Sequence, residues 1–383
     1  IAASINTGYV AEGARTNLCT KPQEFDAWTG GSAGAGSNPV VTANAGTAPD
    51  GTATADKVVF SAPSAGDLSV IASPAFASVV ASVYTSAVYV KAFAAGDVGK
   101  QLLTRQANAS GYTAITLSAD WQRLGTTETA AGVSTTFDIL LRPTFGGSSG
   151  TVSCYLWGAQ VELGSFASSY IATTTEAVTR NLDLDSVPTA SNIAAAASTV
   201  YLEFTPSHTP SGTIALWGTY VDASNYTAIL HDATNMIMRK RIAGVNYDAT
   251  IGNAFTTNTT YKVCGSWGAA GVTVTLDGTE GTASANTTAA QIAATMQVGA
   301  DGNNLQQPFA ALRNVRVWQR QISEEERGSI TGPLDVAYLL SSPIDSAVVI
   351  AAGAPAYSIG AMEIDSVAAG NGSVEIISEW RLS

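Results

Sequence analysis

Short runs in which apolar and polar residues alternate recur along this chain. The clearest lie at 87–91, 200–205 and 272–276. Alternation with a period of two places every second side chain on one face of a strand. An apolar face opposite a polar face is typical of antiparallel sheets that are buried on one side. The pattern predicts an all-β chain built from antiparallel β-sandwiches of the jelly-roll type.

Turns and helix signals refine this prediction. Asp277-Gly278 directly follows the alternating run at 272–276, and an Asp-Gly pair in that place predicts a tight hairpin. The best helix candidate is 323–330, one or two turns long. Ser323 is suited to cap it, and three glutamates follow at 324–326, near the positive end of the helix dipole.

Breaks in the alternation divide the chain. The run 188–199 (PTASNIAAAAST) has no alternating pattern and is interpreted as a linker, and Gly332-Pro333 closes the unit that follows. An alternating run at 374–379 suggests that the end of the chain is also β-rich. The predicted organisation is a lead at 1–14, a jelly-roll sandwich at 15–184, a linker at 185–198, a second sandwich at 199–332 and a small C-terminal block at 333–383.

Composition excludes several classes of partner. Charged residues make up 13% of the chain, about half the usual share, and the net charge is −12 without any cluster of basic residues. Nucleic acid and anionic membranes are therefore not expected partners, and no apolar run is long enough for membrane insertion. The start of the chain has no signal-peptide pattern. Three widely spaced cysteines favour reduced, buried side chains over a disulfide framework or a zinc site.

Candidate catalytic groups are few. The two histidines, His208 and His231, lie in no nucleophile or metalloprotease motif. Thirty acidic residues make some pair of carboxylates inevitable, so their presence alone does not indicate a glycosidase. We therefore predict that the chain is not an enzyme and has no catalytic residues.

Aromatic residues give the strongest binding signal. Trp217, Tyr220 and Tyr226 lie around a predicted loop that also carries Asp222 and Asn225. Flat aromatic faces stack on sugar rings, and neighbouring polar groups bind the hydroxyls, so these five residues are the candidate glycan site. The alternative is an ordinary connecting loop.

Residues 12–180 resemble a jelly-roll module found in bacteriophage tail and virion proteins, which is itself similar to carbohydrate-binding modules. The resemblance is carried by EGARTNL at 12–18, APDGT at 48–52, ADK at 55–57, VYVK at 88–91, WQR at 121–123, WGAQVELG at 157–164, SYI at 169–171 and VTR at 178–180. It implies that Trp28, Trp121 and Trp157 are packing residues, as Trp318 is in the next domain.

The second sandwich resembles the laminin-G and concanavalin-like domains. VTLDG at 274–278 is similar to their hairpin, and LRNVRVW at 312–318 followed by QISEEE at 321–326 is similar to their last strand and helix. Such domains bind sugars, proteins or no known ligand, so this resemblance predicts the fold and leaves the ligand open.

Together the resemblances imply a non-catalytic structural protein of a phage particle, exposed on the virion surface as a tail fibre, head fibre, spike or capsid decoration. Its partners would be other virion proteins and a host surface glycan or receptor. A homotrimer held partly by residues 333–383 is expected. The alternative is a free extracellular carbohydrate-binding protein, or an accessory module of a polysaccharide-degrading enzyme.

Calcium is the only candidate cofactor. Domains of both kinds often bind it through loop carboxylates and carbonyls, and Asp222 or Asp301 with Asn303 and Asn304 could supply ligands. In the first domain Gly158-Ala159 stands where calcium-binding modules usually carry an acid. No metal-ligand motif is present otherwise.

Overall fold

The computed structural model of the protein describes residues 9–107, 111–183, 185–210, 212–303, 306–332, 348–350, 368–370 and 373–375. Within these residues every paired strand is antiparallel to its neighbour. The prediction of an all-β chain of antiparallel sandwiches is confirmed. No helix in this described part is long and apolar enough to cross a membrane.

The first described strand belongs to the second sandwich, and the residues after it form the first sandwich, Gly13–Leu182. The strands up to that point are β1 (Tyr9–Ala11), β2 (Arg15–Asn17), β3 (Thr29–Ala33), β4 (Ser37–Gly46), β5 (Ala55–Ala62), β6 (Leu68–Ala72), β7 (Phe76–Ala77), β8 (Val83–Ala92), β9 (Gln101–Gln106), β10 (Thr113–Thr116), β11 (Gln122–Thr129), β12 (Ser134–Thr135), β13 (Phe137–Leu141), β14 (Gly150–Leu163) and β15 (Val178–Arg180). Short 3-10 turns occur at Phe25–Ala27, Ala95–Asp97 and Pro143–Phe145.

Two five-stranded sheets form the first sandwich. One has the order β10-β9-β13-β6-β3 and the other β11-β8-β14-β5-β4. Alternate residues of β5, Val58, Phe60 and Ala62, point between the sheets and pack with Leu102 and Phe137 of the opposite sheet. The alternation seen in the sequence therefore separates a core face from an outward face.

The second sandwich contains β16 (Asp185–Pro188), β17 (Ser198–Pro206), β18 (Ile214–Asp222), β19 (Asn225–His231), β20 (Asn235–Ile242), β21 (Val245–Gly252), β22 (Tyr261–Gly268), β23 (Gly271–Leu276), β24 (Thr279–Glu280), β25 (Thr295–Val298) and β26 (Ala310–Trp318). Its sheets have the orders β1-β26-β17-β22-β23-β24 and β16-β25-β18-β19-β20-β21. The alternating runs at 200–205 and 272–276 lie in β17 and β23. Asp277 and Gly278 form the predicted turn with φ of 45° and 84°.

The helix α1 (Glu324–Thr331) begins as predicted. The Ser323 hydroxyl accepts a hydrogen bond from the Glu326 amide, and the Glu326 side chain accepts one from the Ser323 amide, which is a complete capping box. The buried Arg327 ties the helix to the sheet through Glu280, with a 2.6 Å contact from Nη2 to Oε1.

The C-terminal block contributes three short strands to the described residues: β27 (Val348–Ile350), which pairs with β26, and the hairpin of β28 (Ala368–Gly370) and β29 (Ser373–Glu375). The rest of the predicted block at 333–383, including most of its apolar runs, lies outside the described residues.

The first sandwich is inserted into the second. β1 pairs with β26, and Ala11 is fully buried in the second core. The Glu12 amide donates to the Asp183 carboxylate at 3.1 Å, and the Asp183 amide donates to the Glu12 carbonyl at 2.8 Å, so the two connections to the first sandwich lie side by side.

These observations correct two sequence-based assignments. Tyr9–Ala11 is a strand of the second sandwich, whereas the sequence placed it in a separate lead at 1–14. Asp185–Pro188 pairs with β25, although it falls in the predicted linker at 185–198. Strands of three or four residues are too short to show a period, which explains why both were missed.

Candidate functional site

The predicted glycan site lies on the hairpin of β18 and β19. Tyr220 is directly opposite Tyr226, and the two rings stack with centroids 6.1 Å apart and an angle of 21° between their planes. Both side chains are half-buried, on the outward face of the six-stranded sheet. The structure thus brings the two tyrosines together as a flat aromatic surface.

Trp217 does not belong to this surface, and its assignment to the glycan site is wrong. It is fully buried between the sheets, where it stacks on Trp267 with ring centroids 6.2 Å apart. Trp217 and Tyr220 are three positions apart in one strand, so the alternation of the strand puts them on opposite faces. A buried indole cannot stack on a sugar.

Asp222 and Asn225 form the turn of the hairpin. The Asp222 carboxylate accepts hydrogen bonds from the Asn225 side chain at 3.0 Å and the Ser224 amide at 2.7 Å, and these bonds lower its pKa. The Asn225 side-chain oxygen Oδ1 accepts a bond from the Ala243 amide at 3.0 Å, which ties this turn to the next one. Both side chains therefore have a structural role in the turn.

Charged residues that the sequence did not single out border the tyrosines. Arg239 of β20 holds Asp248 of β21 with two bonds of 2.9 and 2.7 Å, and this contact raises the pKa of the guanidinium. Arg241 lies over the Tyr226 ring, 6.0 Å from its centroid, and donates to Asn246 at 2.6 Å. We call Tyr220, Tyr226, Arg239, Arg241 and Asp248 the tyrosine–arginine face.

The loop after β25 lies against this face. A side chain on Gly218 would approach the Asp301 backbone to 2.5 Å, and one on Gly302 would approach the Tyr220 amide nitrogen to 2.6 Å. Both glycines are required by this close approach. These approaches place Asp301 beside Tyr220. The sequence did not predict this proximity, because the two residues lie far apart along the chain.

Calcium stays a prediction. The Asp301 carboxylate accepts a bond from the Asn303 amide at 2.8 Å, and Asn304 lies outside the described residues. Across the part of the chain that the structure describes, no three His, Cys, Asp or Glu side chains are grouped as metal ligands.

The histidine at the end of β19 is a core residue. His231 is fully buried beside Phe204 and Phe255, with ring centroids 5.1 and 5.0 Å away. Burial lowers its pKa from 6.5 to about 4, so the ring is neutral at pH 7. Its Nδ1 faces the Asp232 carbonyl at 3.1 Å. An enclosed, neutral ring of this kind cannot reach a substrate.

The cysteines are free and buried, as the sequence predicted. Burial raises the pKa of Cys19 to about 12, and it raises the pKa of Cys154 and Cys264 as well. None of these thiols is activated for nucleophilic chemistry.

The first sandwich carries a second group of aromatic side chains on the outward face of the β11-β8-β14-β5-β4 sheet. Trp157 packs on Tyr89 and Tyr170 with ring centroids 5.5 and 4.6 Å away, and Trp121 packs on Tyr155 at 6.4 Å. Trp121 and Trp157 are packing residues, as the resemblance implied, but they pack outside the inter-sheet core that holds Trp28.

Comparison with known proteins agrees with the fold of the second sandwich. Residues 183–326 match the family described as Laminin_G_3, the concanavalin A-like lectin/glucanases superfamily. The match supports a jelly-roll, lectin-like fold for this segment, and it begins at residue 183, two residues before strand β16 and before the predicted linker at 185–198. No curated protein matches the chain.

Several solved structures are distantly similar. The native heptameric SAP-like pentraxin from Limulus polyphemus is 14% identical, covers 38% of this chain and 74% of its own, and has a TM-score of 0.31. Domains LG4-5 of the mouse laminin alpha1 chain are 14% identical over 63% of this chain and 84% of theirs, with a TM-score of 0.29. The CBM22-1-CBM22-2 tandem domain of Paenibacillus barcinonensis Xyn10C is 12% identical over 81% and 99%, with a TM-score of 0.28.

Proposed function

We propose that this chain is a non-catalytic binding protein whose laminin-G/concanavalin-like domain holds a glycan on the tyrosine–arginine face. One observation carries the proposal: the stacked, half-buried pair of Tyr220 and Tyr226 lies next to the bidentate ion pair of Arg239 and Asp248. The rings offer a flat apolar platform for the C–H face of a sugar, and the charged groups beside them offer donors and acceptors for its hydroxyls.

The fixed geometry of this face favours binding. Arg239 and Asp248 hold each other, so neither has to lose much side-chain freedom when a sugar arrives. Asp222 and Asn225 act indirectly in this proposal, because they hold the hairpin turn that sets the Tyr220–Tyr226 register.

A role without catalysis is supported by how the candidate groups are used. The carboxylates near the tyrosines are engaged, Asp248 by Arg239 and Asp222 by its own turn. Hydrolysis of a glycosidic bond needs one carboxyl group with a raised pKa and a second one facing it.

The glycan test compares affinities on a neutral and acidic glycan array, followed by titration of the best ligand. We expect Tyr220→Ala and Tyr226→Ala to weaken binding roughly tenfold each. Tyr112→Ala is the matched control, because Tyr112 also stacks on an outward ring, that of Phe145 at 4.5 Å, in the first sandwich. Equal losses in all three variants, or none, would contradict the site, and release of reducing ends by the pure protein would contradict the absence of catalysis.

We further propose that the protein is displayed on a phage particle as a fibre, spike or decoration, bound to other virion proteins and facing a host glycan or receptor. The resemblance of residues 12–180 to virion modules supports this. Mass spectrometry and electron microscopy of purified particles should find the chain at the surface. If it is found only in culture medium without particles, the alternative of a free carbohydrate-binding protein or enzyme accessory module replaces this proposal.

A homotrimer held partly by residues 333–383 is the assembly expected for that role. Light scattering should give three copies for the full chain and one after deletion of residues 334–383. A monomeric full-length protein, or a trimer that survives the deletion, would refute it.

A further inference from the structure

The outward face of the first sandwich gathers basic and aromatic side chains from four strands. Tyr155 of β14 pairs with Lys57 of β5 on one side and with Lys91 of β8 on the other. Two residues further along β8, Tyr89 pairs with Arg123 of β11. We call Lys57, Tyr89, Lys91, Arg123 and Tyr155 the basic aromatic face.

These five side chains point away from the core. Their neighbours along the strands, such as Val58, Val90 and Leu156, are fully buried between the sheets. All five residues of the face are only partly buried. Neighbouring strands lie about 5 Å apart, so Lys57 and Lys91 are separated by about 10 Å with a tyrosine between them.

The cations of this face have no carboxylate partner among the described residues. The Lys57 ammonium lies 3.7 Å from the centroid of the Phe93 ring. The Arg123 guanidinium lies 5.5 Å from the centroid of Tyr89 and donates to the Ser168 carbonyl. Attraction to a ring face leaves an ammonium free to bind an anion as well.

Two other cations of the same sandwich are paired with carboxylates. Lys100 binds Asp97 at 2.8 Å, and Arg105 binds Asp138 at 2.9 Å. Gly13–Leu182 contains eleven acidic and nine basic residues, so acids are available in this unit. The three cations of the face are thus without a carboxylate partner among the described residues, although carboxylates are available in the same unit.

A groove continues from this face. It has a volume of about 270 Å³, and Arg123, Thr85, Thr127 and Ala167 are among the residues that line it. The two threonine hydroxyls are 2.8 Å apart and bond to each other. Hydroxyl groups beside aromatic and cationic ones suit a ligand with many hydroxyls of its own.

We infer that the basic aromatic face binds an anionic polysaccharide, carboxylated or sulfated. One such chain supplies all the complementary parts: apolar ring faces for Tyr89 and Tyr155, anionic groups for the three cations, and hydroxyls for the groove. The net charge of −12 disfavours every polyanion to a similar degree. A polysaccharide fits better than nucleic acid because the threonine hydroxyls of the groove suit a ligand that is rich in hydroxyl groups. This site is independent of the tyrosine–arginine face and of its proposed ligand.

The test is affinity electrophoresis of the full-length protein in gels that contain polygalacturonate, dextran sulfate, neutral dextran or polythymidylate. We expect retardation by at least one of the two anionic polysaccharides, which identifies the anion, and none by dextran. Lys57→Gln combined with Lys91→Gln should weaken that binding about tenfold or more, because each charge-assisted contact is strong. Added salt should weaken binding by the wild type more than by the double variant.

Lys21→Gln is the matched control for Lys91→Gln, since both remove one partly buried lysine of the first sandwich that has no carboxylate partner within the described part of the chain. It should bind as the wild type does. The inference is overturned if dextran retards the protein as strongly as the anionic polymers, if neither anionic polymer binds, or if the double variant binds like the wild type. Stronger retardation by polythymidylate than by either polysaccharide would overturn it in favour of nucleic acid.

Discussion

The buried imidazole of His231 makes the stability of the second sandwich depend on pH. Its folded-state pKa is about 4, whereas an unfolded histidine titrates near 6.5. Between these values the unfolded chain binds more protons than the folded one, so the free energy of unfolding rises with pH. The stabilising contribution is complete above pH 6.5 and is lost as the pH falls towards 4.

We predict that the wild type loses about 3 kcal/mol more stability between pH 7 and pH 4 than His231→Gln does. Urea unfolding at several pH values measures this difference. Parallel pH profiles for the wild type and His231→Gln would show that this ring does not titrate in the predicted window.

Lys240 is another buried ionisable residue of this sandwich. It is fully buried, and its ammonium donates to the carbonyls of Asn286 and Thr288 at 3.0 and 2.6 Å. Burial lowers its pKa. The lysine thus acts as a clamp between strand β20 and the loop that follows β24.

Lys240→Met should destabilise the sandwich by about 1–2 kcal/mol, because two loop carbonyls lose their donor. Hydrogen exchange should become faster at 284–290. Arg241→Met changes the next residue, which points to the opposite face, and should leave exchange in that loop unchanged. The clamp is disproved if both variants have the same effect there.

The candidate site shows what the sequence could predict at the scale of single residues. The structure brings Tyr220 and Tyr226 together and places Trp217 elsewhere, because a window of neighbouring residues does not separate the faces of a strand. Counting three positions from Trp217 to Tyr220 predicts opposite faces. The pairing of Tyr220 with Tyr226 cannot be predicted by counting positions. It depends on a register shift between Tyr220 and Asp222 that no sequence signal marks.

At the scale of elements, the position of a hairpin turn predicts which residues of its two strands are paired, and we did not use this in the sequence analysis. Ala243 and Gly244 have φ of 49° and 82°, as a two-residue hairpin turn requires. A turn centred there fixes the pairing of Arg239 with Asp248. The partner that completes the tyrosine–arginine face could therefore have been predicted from the turn.

Strand β1 is the element that the sequence concealed. Ala11 is fully buried while its neighbour Val10 is 45% exposed, so these two residues point to opposite faces of the strand. We predict that Ala11→Asp lowers the free energy of unfolding of the second sandwich by at least about 2 kcal/mol, because it buries an unpaired charge. Val10→Asp should change it by less than about 0.5 kcal/mol. Chemical denaturation compares the two, and equal effects would mean that β1 is not docked on β26.

At the scale of the whole molecule, the domain order along the chain differs from the order in space. The two ends of the first sandwich are held together by the pairing of β2 with β15 and by the hydrogen bonds between Glu12 and Asp183. A resemblance that spans residues 12–180 marks this insertion well. It does not reveal that the host domain begins earlier, because β1 is too short to resemble anything.

We predict that the first sandwich can be removed without unfolding its host. A variant in which a short Gly-Ser linker joins Glu12 to Asp183 should fold, since these residues are already hydrogen-bonded to each other. A chain that starts at Thr199, as the sequence-based boundary suggests, lacks β1 and β16 and should be markedly less stable. Circular dichroism with thermal melting distinguishes them, and equal stability of both would argue against the insertion.

Side-by-side connections also determine how the molecule responds to tension. A pull from two points outside Glu12 and Asp183 stretches the second sandwich first, because the first sandwich is attached through neighbouring, mutually bonded residues. No force is transmitted across Gly13–Leu182 until its host yields. In a single-molecule pulling experiment the second sandwich should extend before the first. The basic aromatic face would therefore stay folded after the second sandwich has unfolded.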